Sequence, residues 1–349
     1  MSIKNKQKQD LSNLVSIREL DVDYKQHGEH AQKSGGIHIP IALISIVLIA
    51  IIGFVGTACN DKGMTKEKAD KKNIRMQARV NRFVKKRTIA DERCIETSYG
   101  KIRVLEYGFD LPEVKPLYVD LHGGGFALMF PEYNETQNVY IQNETNVKII
   151  SIDYPKSPQN PYPAAVEAIY EVVKHYAENA SKYKIDPERI GIGGYSAGGN
   201  LAAVTCIKAK EKGEFKIKYQ IFCYPPTDLL EDPYMKLKSK KIPKAISQRD
   251  VQIATFSYLS DFQHSREPYC SPVYATKEQL AGLPPALLIV AGIDPLYPEG
   301  LRYGKKLEEA GVTLELHDFK EAVHGFTHYG KPDAQEAMDI IVKFIKKHF

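Results

Sequence analysis

From about residue 93 onward, short runs rich in β-branched and aromatic residues alternate with segments whose apolar residues recur at helical spacing. The runs fall at 101–107, 117–121, 147–152, 190–193, 219–223, 286–290 and 312–316. Between and after them stand helical patterns such as Val166, Ile169, Val173 and Tyr176, then Met338, Ile341, Val342 and Ile345 at the C-terminal end. Consecutive parallel strands need a crossover long enough to hold a helix, so this alternation predicts an α/β fold with a mostly parallel sheet and helices on both faces. The stretch 228–263 breaks the rhythm, being polar and helical in pattern with a lysine-rich middle from Lys236 to Lys241. It reads as an insertion over the sheet.

The N-terminal part has a different texture. Residues 39–59 carry no charge and are apolar on every side of a helix, unlike the one-sided stripe of a buried core helix. About 20 such residues span a bilayer, so a transmembrane helix is expected at 39–59, after a polar segment 1–38 and before a basic juxtamembrane segment 60–92. The length of the leading segment, with Asp10, Glu19, Asp21, Asp23 and Glu29, argues against a cleaved signal peptide. Gly56-Thr57-Ala58-Cys59 approaches a lipoprotein cleavage site, with Gly56 where a larger aliphatic residue is usual. Lys25 and Lys33 precede the run, while Lys62, Lys66, Lys68, Lys71, Lys72, Arg75 and Arg79 follow it. The positive-inside rule then favours the cytoplasmic side for the C-terminal domain, 93–349.

Charge and cysteines narrow the partners. The chain has a net charge of +5, but residues 1–90 hold 17 Lys and Arg against 8 Asp and Glu, and the remainder 31 against 35. The basic character belongs to the leader, which argues against a nucleic-acid partner for the main domain. The five cysteines form no Cys-x-x-Cys pair and have no matching histidine spacing, so neither a metal site nor a disulfide framework is expected. Nothing in the sequence sets an oligomeric state.

The chemistry is concentrated at strand ends. The run 190–193 leads into Gly194-Tyr195-Ser196-Ala197-Gly198-Gly199 and then a helical pattern, a strand-turn-helix context in which a serine hydroxyl is presented on a sharp turn. Glycine at 194 and 198 lets strand and helix pass closely. The run 117–121 leads into His122-Gly123-Gly124-Gly125, whose backbone N–H groups, with that of Ala197, would receive the oxyanion formed in acyl transfer. A nucleophilic serine needs a base and the base an orienting carboxylate, in the order Ser, Asp, His for this arrangement. Asp294 and His324 follow the sixth and seventh runs and fill those roles, with Asp318 and His328 as competitors.

These motifs, with Asp153-Tyr154-Pro155, Pro161-Tyr162-Pro163, Asp186-Pro187, Asp294-Pro295-Leu296, Glu299-Gly300 and His324-Gly325-Phe326, give the chain from about Pro116 to Phe326 a resemblance to the hormone-sensitive-lipase-like branch of the α/β-hydrolases. The resemblance implies a triad of Ser196, Asp294 and His324, an oxyanion hole from Gly123, Gly124, Gly125 and Ala197, no cofactor, and a small-molecule ester as substrate. It also implies a helical cap built from residues around 65–90 and 228–263. Two departures stand out: Tyr195 where the family usually has Asp, and Tyr297-Pro298 where Arg and Asp are common. Tyr195, Phe126, Met129 and Phe130 are expected to line and crowd the substrate pocket, favouring short acyl groups. An amidase or deacetylase would use the same groups, and a non-catalytic binder would lack the histidine that this chain retains.

Overall fold

A computed structural model describes residues 63–83, 88–110, 112–236, 246–330 and 332–349. Its framework is an eight-stranded sheet in the order β1-β2-β4-β3-β5-β6-β7-β8. The strands are β1 (Asp91–Thr97), β2 (Gly100–Tyr107), β3 (Lys115–Leu121), β4 (Lys148–Ile152), β5 (Ile185–Tyr195), β6 (Tyr219–Cys223), β7 (Ala286–Ile293) and β8 (Leu314–Val323). Pairing is antiparallel for β1 with β2 and for β2 with β4, and parallel for every pair from β4 to β8. The helices that bear on the site are α1 (Lys66–Phe83), α2 (Glu135–Thr145), α3 (Ala164–Glu178), α4 (Ala197–Lys212), α5 (Gln248–Tyr258), α6 (Tyr297–Glu309) and α7 (Pro332–His348).

Both faces of the central strands are covered, so β4 and β6 are buried along their whole length and show no alternation. Val119, Ile150 and Ile192 face Val166 and Ile169 of α3 and Val204 of α4. Tyr118, Ile149 and Ile221 face the other way, toward Ile341 and Ile345 of α7. The glycines of β5 have a spatial cause: an added Cβ at Gly191 would come within 2.0 Å of the Tyr219 ring, and one at Gly193 within 2.2 Å of the Tyr118 hydroxyl. Those two rings lie nearly parallel, 6.4 Å apart, over the strip the glycines leave bare.

Both edge strands of the sheet differ from the sequence expectation. β1 has no counterpart among the apolar runs, and β8 begins at Leu314 and continues to Val323 rather than ending at residue 316. An edge strand has one neighbour and meets solvent along much of its length, so Asp91-Glu92-Arg93 and His317-Asp318 can occupy it without the apolar signature of a central strand. His324 therefore stands directly at a strand end rather than in a long loop.

Above the C-terminal ends of the strands, α1 lies against α5. Ser257 donates to Asp70 at 2.8 Å, and the Lys66 ammonium donates to the Phe256 carbonyl at 3.2 Å. Ser247 and Asp250 close a capping box that starts α5. Among the described residues, no helix is long and apolar enough to cross a membrane. The apolar run 39–59 lies outside the described residues.

Candidate active site

β5 ends in a turn that the sequence makes unavoidable. Ser196 has φ 55° and ψ −121°, a conformation that a residue with a Cβ adopts only when its surroundings impose it. Its N–H continues the sheet by bonding to the Cys223 carbonyl at 2.8 Å, while its own carbonyl accepts from Gly199 and Asn200 at 2.8 and 3.2 Å and starts α4. A Cβ at Gly194 would lie 2.4 Å from the backbone of Gly198, and one at Gly198 would lie 2.0 Å from the Leu121 carbonyl. The hydroxyl is thus lifted clear of the sheet because strand, turn and helix all touch through glycine.

Three side chains meet there. His324 Nε2 is 2.8 Å from Ser196 Oγ, and His324 Nδ1 is 2.6 Å from Asp294 Oδ2. Asp294 is fully buried, and its other oxygen accepts the Leu296 N–H at 2.9 Å. With a carboxylate that only accepts, Nδ1 carries the imidazole proton and the bare Nε2 faces the Ser196 hydroxyl. The backbone of His324 is tied by the Tyr329 hydroxyl, which donates to its carbonyl at 3.1 Å. The competitors go elsewhere. Asp318 pairs with Lys320 and accepts from the Tyr297 hydroxyl at 2.7 Å, which also accounts for the phenol at that departure from the family pattern. His328 is buried, stacks on Tyr133 at 4.4 Å and has its Nε2 3.0 Å from Asn134 Oδ1. Burial and the neighbouring His324 push its pKa down to about 3, so it is neutral at physiological pH.

The glycine-rich loop abuts the serine. A Cβ at Gly123 would sit 3.4 Å from the Ser196 Cβ, and Gly124 takes φ +114° with no room for a side chain, 2.2 Å from the Leu128 carbonyl. The Gly124 carbonyl accepts from Ala127 and Leu128 at 3.2 and 2.9 Å, closing the turn. Ala197 opens α4, where the first N–H groups have no helical partner and the helix dipole is positive. His122 supports the loop from below: its Nδ1 lies 2.6 Å from the Gly123 carbonyl, its ring stacks on Tyr154 at 4.3 Å, and the Tyr154 hydroxyl donates to its carbonyl at 2.8 Å.

The four side chains expected to line the pocket are all buried, and Tyr195 faces away from the nucleophile. Tyr195 is buried on the α7 side of the sheet, with its hydroxyl 3.7 Å from Met338 Sδ and its ring edge-on to His328. Successive residues of a strand point to opposite faces, so a residue beside the nucleophile in sequence faces away from it in space. Phe126 stacks on Tyr258 of α5 at 3.8 Å, and Met129 and Phe130 pack on Val80 of α1. The loop beyond the glycines runs under the apolar undersides of α1 and α5, and these side chains fill that layer. Gln77 of α1 has no sequence signal, yet its amide donates to the carbonyls of Ala127 and Ser157, each at 2.8 Å, and pins the loop to the cap helix.

Glu299, at the start of α6, is buried, pairs with Lys236 and accepts from the N–H of Thr227 at 2.8 Å, joining the segment after β6 to the helix that follows Asp294. Burial pushes its carboxyl up, against the pull of Lys236, to about 7. Among the described residues no group of His, Cys, Asp and Glu side chains could hold a metal ion, and Cys206, Cys223 and Cys270 are buried thiols while Cys94 is exposed on β1.

The profile of a family described as alpha/beta hydrolase fold matches residues 118–328. Esterase LipI of Mycobacterium tuberculosis is 32% identical over 231 residues, covering 64% of this chain and 69% of LipI. Carboxylic ester hydrolase LipN of the same organism is 36% identical over 218 residues, covering 60% of this chain and 57% of LipN. A solved esterase of Pyrobaculum calidifontis superposes with a TM-score of 0.70 at 31% identity, covering 85% of this chain and 97% of that one. The chain belongs to the α/β-hydrolase family of hormone-sensitive-lipase-like esterases and is a serine hydrolase of the carboxylesterase kind.

Proposed function

We propose that the protein hydrolyses small carboxylic esters through an acyl-enzyme on Ser196. The observation that carries this reading is the unbroken chain from Asp294 through His324 to the Ser196 hydroxyl, at 2.6 and 2.8 Å. Ser196 Oγ attacks the ester carbonyl as His324 Nε2 takes its proton, and Asp294 holds Nδ1–H and offsets the imidazolium charge. The N–H groups of the Gly123–Gly125 loop and of Ala197 receive the negative oxygen of the tetrahedral adduct. The C–O bond to the alcohol then breaks, and the proton on His324 goes to the leaving alkoxide. A water molecule, deprotonated by the same imidazole, releases the acid and restores Ser196. No step calls for a cofactor.

Short acyl groups suit this site best. α5 sits directly over the glycine loop, where a Cβ at Gly125 would lie 3.0 Å from that of Ala254, and Gln77 holds the loop to α1. Each added methylene must find apolar cover to gain its roughly 0.8 kcal/mol. In a panel of aryl esters, kcat/KM is expected to peak between acetate and hexanoate and to fall for laurate, with a fluorophosphonate probe labelling the same serine. A profile that climbs through palmitate would overturn the chain-length reading, and absence of both hydrolysis and labelling would overturn the activity.

The run 39–59 is proposed to anchor the enzyme by a single membrane pass, with the catalytic domain on the cytoplasmic side. Its support is the length and uncharged character of the run and the basic residues that follow it. The full-length protein should sediment with membranes, stay there at high salt and leave with detergent. Recovery in the soluble fraction would refute the anchor.

A further inference from the structure

One buried carboxylate beneath the site takes no part in ester chemistry. Asp120, near the end of β3, has no solvent exposure and accepts hydrogen bonds from Asn134 Nδ2 at 2.8 and 3.1 Å, Asn138 Nδ2 at 2.9 Å and Ser151 Oγ at 2.5 Å. Among the described residues its acidity is set by burial and by these neutral donors rather than by a Lys or Arg, and burial pushes it up to about 6. An ion held without a counter-charge is unfavourable for folding, and a neutral residue would serve packing alone.

The charge dictates the direction of every bond beyond it. An ionised carboxylate cannot donate, so Asn134 turns its NH2 toward Asp120 and its Oδ1 outward. That Oδ1 meets His328 Nε2 at 3.0 Å, so Nε2 carries the proton and the neutral ring leaves Nδ1 bare. Thr327 Oγ1, 3.0 Å from Nδ1, therefore donates to it, and in turn accepts from the Tyr224 hydroxyl at 2.5 Å. Tyr224 follows β6 with φ 41°, a left-handed conformation unfavourable for a residue with a side chain, and its ring stands edge-on to His324 at 4.9 Å. Tyr195 walls the same chain, edge-on to His328 at 5.0 Å.

We propose that Asp120 is a positioning residue for His324: its negative charge gives the buried chain Asn134–His328–Thr327–Tyr224 a single direction, which holds the Tyr224 ring against the imidazole that receives the serine proton. This rests on the reading of His324 as the base. Asp120→Asn with its NH2 toward Asn134 would flip that amide, move the His328 proton to Nδ1 and free the Thr327 O–H from His328, so that it can donate to the Tyr224 oxygen and reverse that bond.

The test uses the full-length protein. In Asp120→Asn, kcat for an aryl acetate should fall at least ten-fold with KM within two-fold, the melting temperature should hold or rise, and the ring-nitrogen NMR signals of His328 should change from the Nε2–H to the Nδ1–H tautomer. Thr327→Val, which cuts the chain at its middle, should lose kcat to a similar degree, and Thr327→Ser should restore it. Should Asp120→Asn fail to fold, the Thr327 pair decides. Wild-type kcat in Asp120→Asn or Thr327→Val, kcat, KM and melting temperature all falling together, or an Nδ1–H His328 in the unaltered protein would each overturn the proposal. Failure of a fluorophosphonate to label Ser196 would instead defeat the reading of the site, and the His328 tautomer would still report on the chain.

Discussion

Ser196→Ala is expected to lower kcat for a short aryl ester on the order of 10⁶-fold while leaving the melting curve unchanged. That factor corresponds to roughly 8 kcal/mol of transition-state stabilisation. It is large because the hydroxyl forms the covalent bond and because its geometry is already prepared, 2.8 Å from the base on a turn that exposes it. Fold is spared because Ser196 is tied to the sheet through its backbone, which alanine keeps. Asp294→Asn should cost about 10⁴-fold, since an amide at that position can donate and so permits the wrong imidazole tautomer. Combining either Asp294→Asn or His324→Ala with Ser196→Ala should cost little more than Ser196→Ala alone, because the three groups act as one unit. Steady-state kinetics with active-site titration measures all of these. Near wild-type turnover in Ser196→Ala would remove the nucleophile from this account, and additive losses in the double variants would remove the shared mechanism.

Gly198→Ala is expected to be the most damaging single-methyl change in the molecule, with a loss of at least about 4 kcal/mol in stability and of ester hydrolysis with it. The added Cβ would lie 2.0 Å from the Leu121 carbonyl oxygen and 2.7 Å from that of His122. Both contacts are backbone, so neither can swing aside. Relief requires α4 to move away from the end of β3, which shifts the Ala197 N–H and the Gly123 loop off the position of the oxyanion. Gly213→Ala is the informative contrast. There the glycine has φ +66° with open space around it, so only the left-handed backbone is penalised, at about 1 kcal/mol. Thermal melts of the two variants measure the difference. Equal, small shifts would mean that strand, turn and helix are less tightly joined than these distances require.

The legible parts of the chain share a physical property: their signal is local. Central strands are buried on both faces and must be continuously apolar, and a serine on a strand-to-helix turn must be flanked by glycine, so 190–193 and Gly194 to Gly198 declare themselves in sequence. Edge strands escape because solvent on one side removes the constraint. β1 carries Asp91, Glu92 and Arg93, and β8 carries Glu315, His317 and Asp318. Tyr195 is expected in the pocket because it adjoins the nucleophile along the chain, and that measure fails where the pleat sends neighbours to opposite faces. Tyr195 adjoins Ser196 by one peptide bond and packs against Met338 of α7.

The sequence by itself determined the alternation that makes a parallel sheet, the glycine-flanked turn and glycine loop at two strand ends, and the order Ser196, Asp294, His324, because each follows from constraints among residues close together or from a required chain order. Only the tertiary structure decided what occupies the competitor, His328, four residues beyond the expected base. His324 reaches Ser196 Oγ at 2.8 Å, and His328 is drawn into a buried chain running to Asp120, a residue 208 positions earlier. A hydrogen bond between side chains so far apart depends on how β3, α2 and the end of β8 are brought together, and no local pattern encodes that meeting.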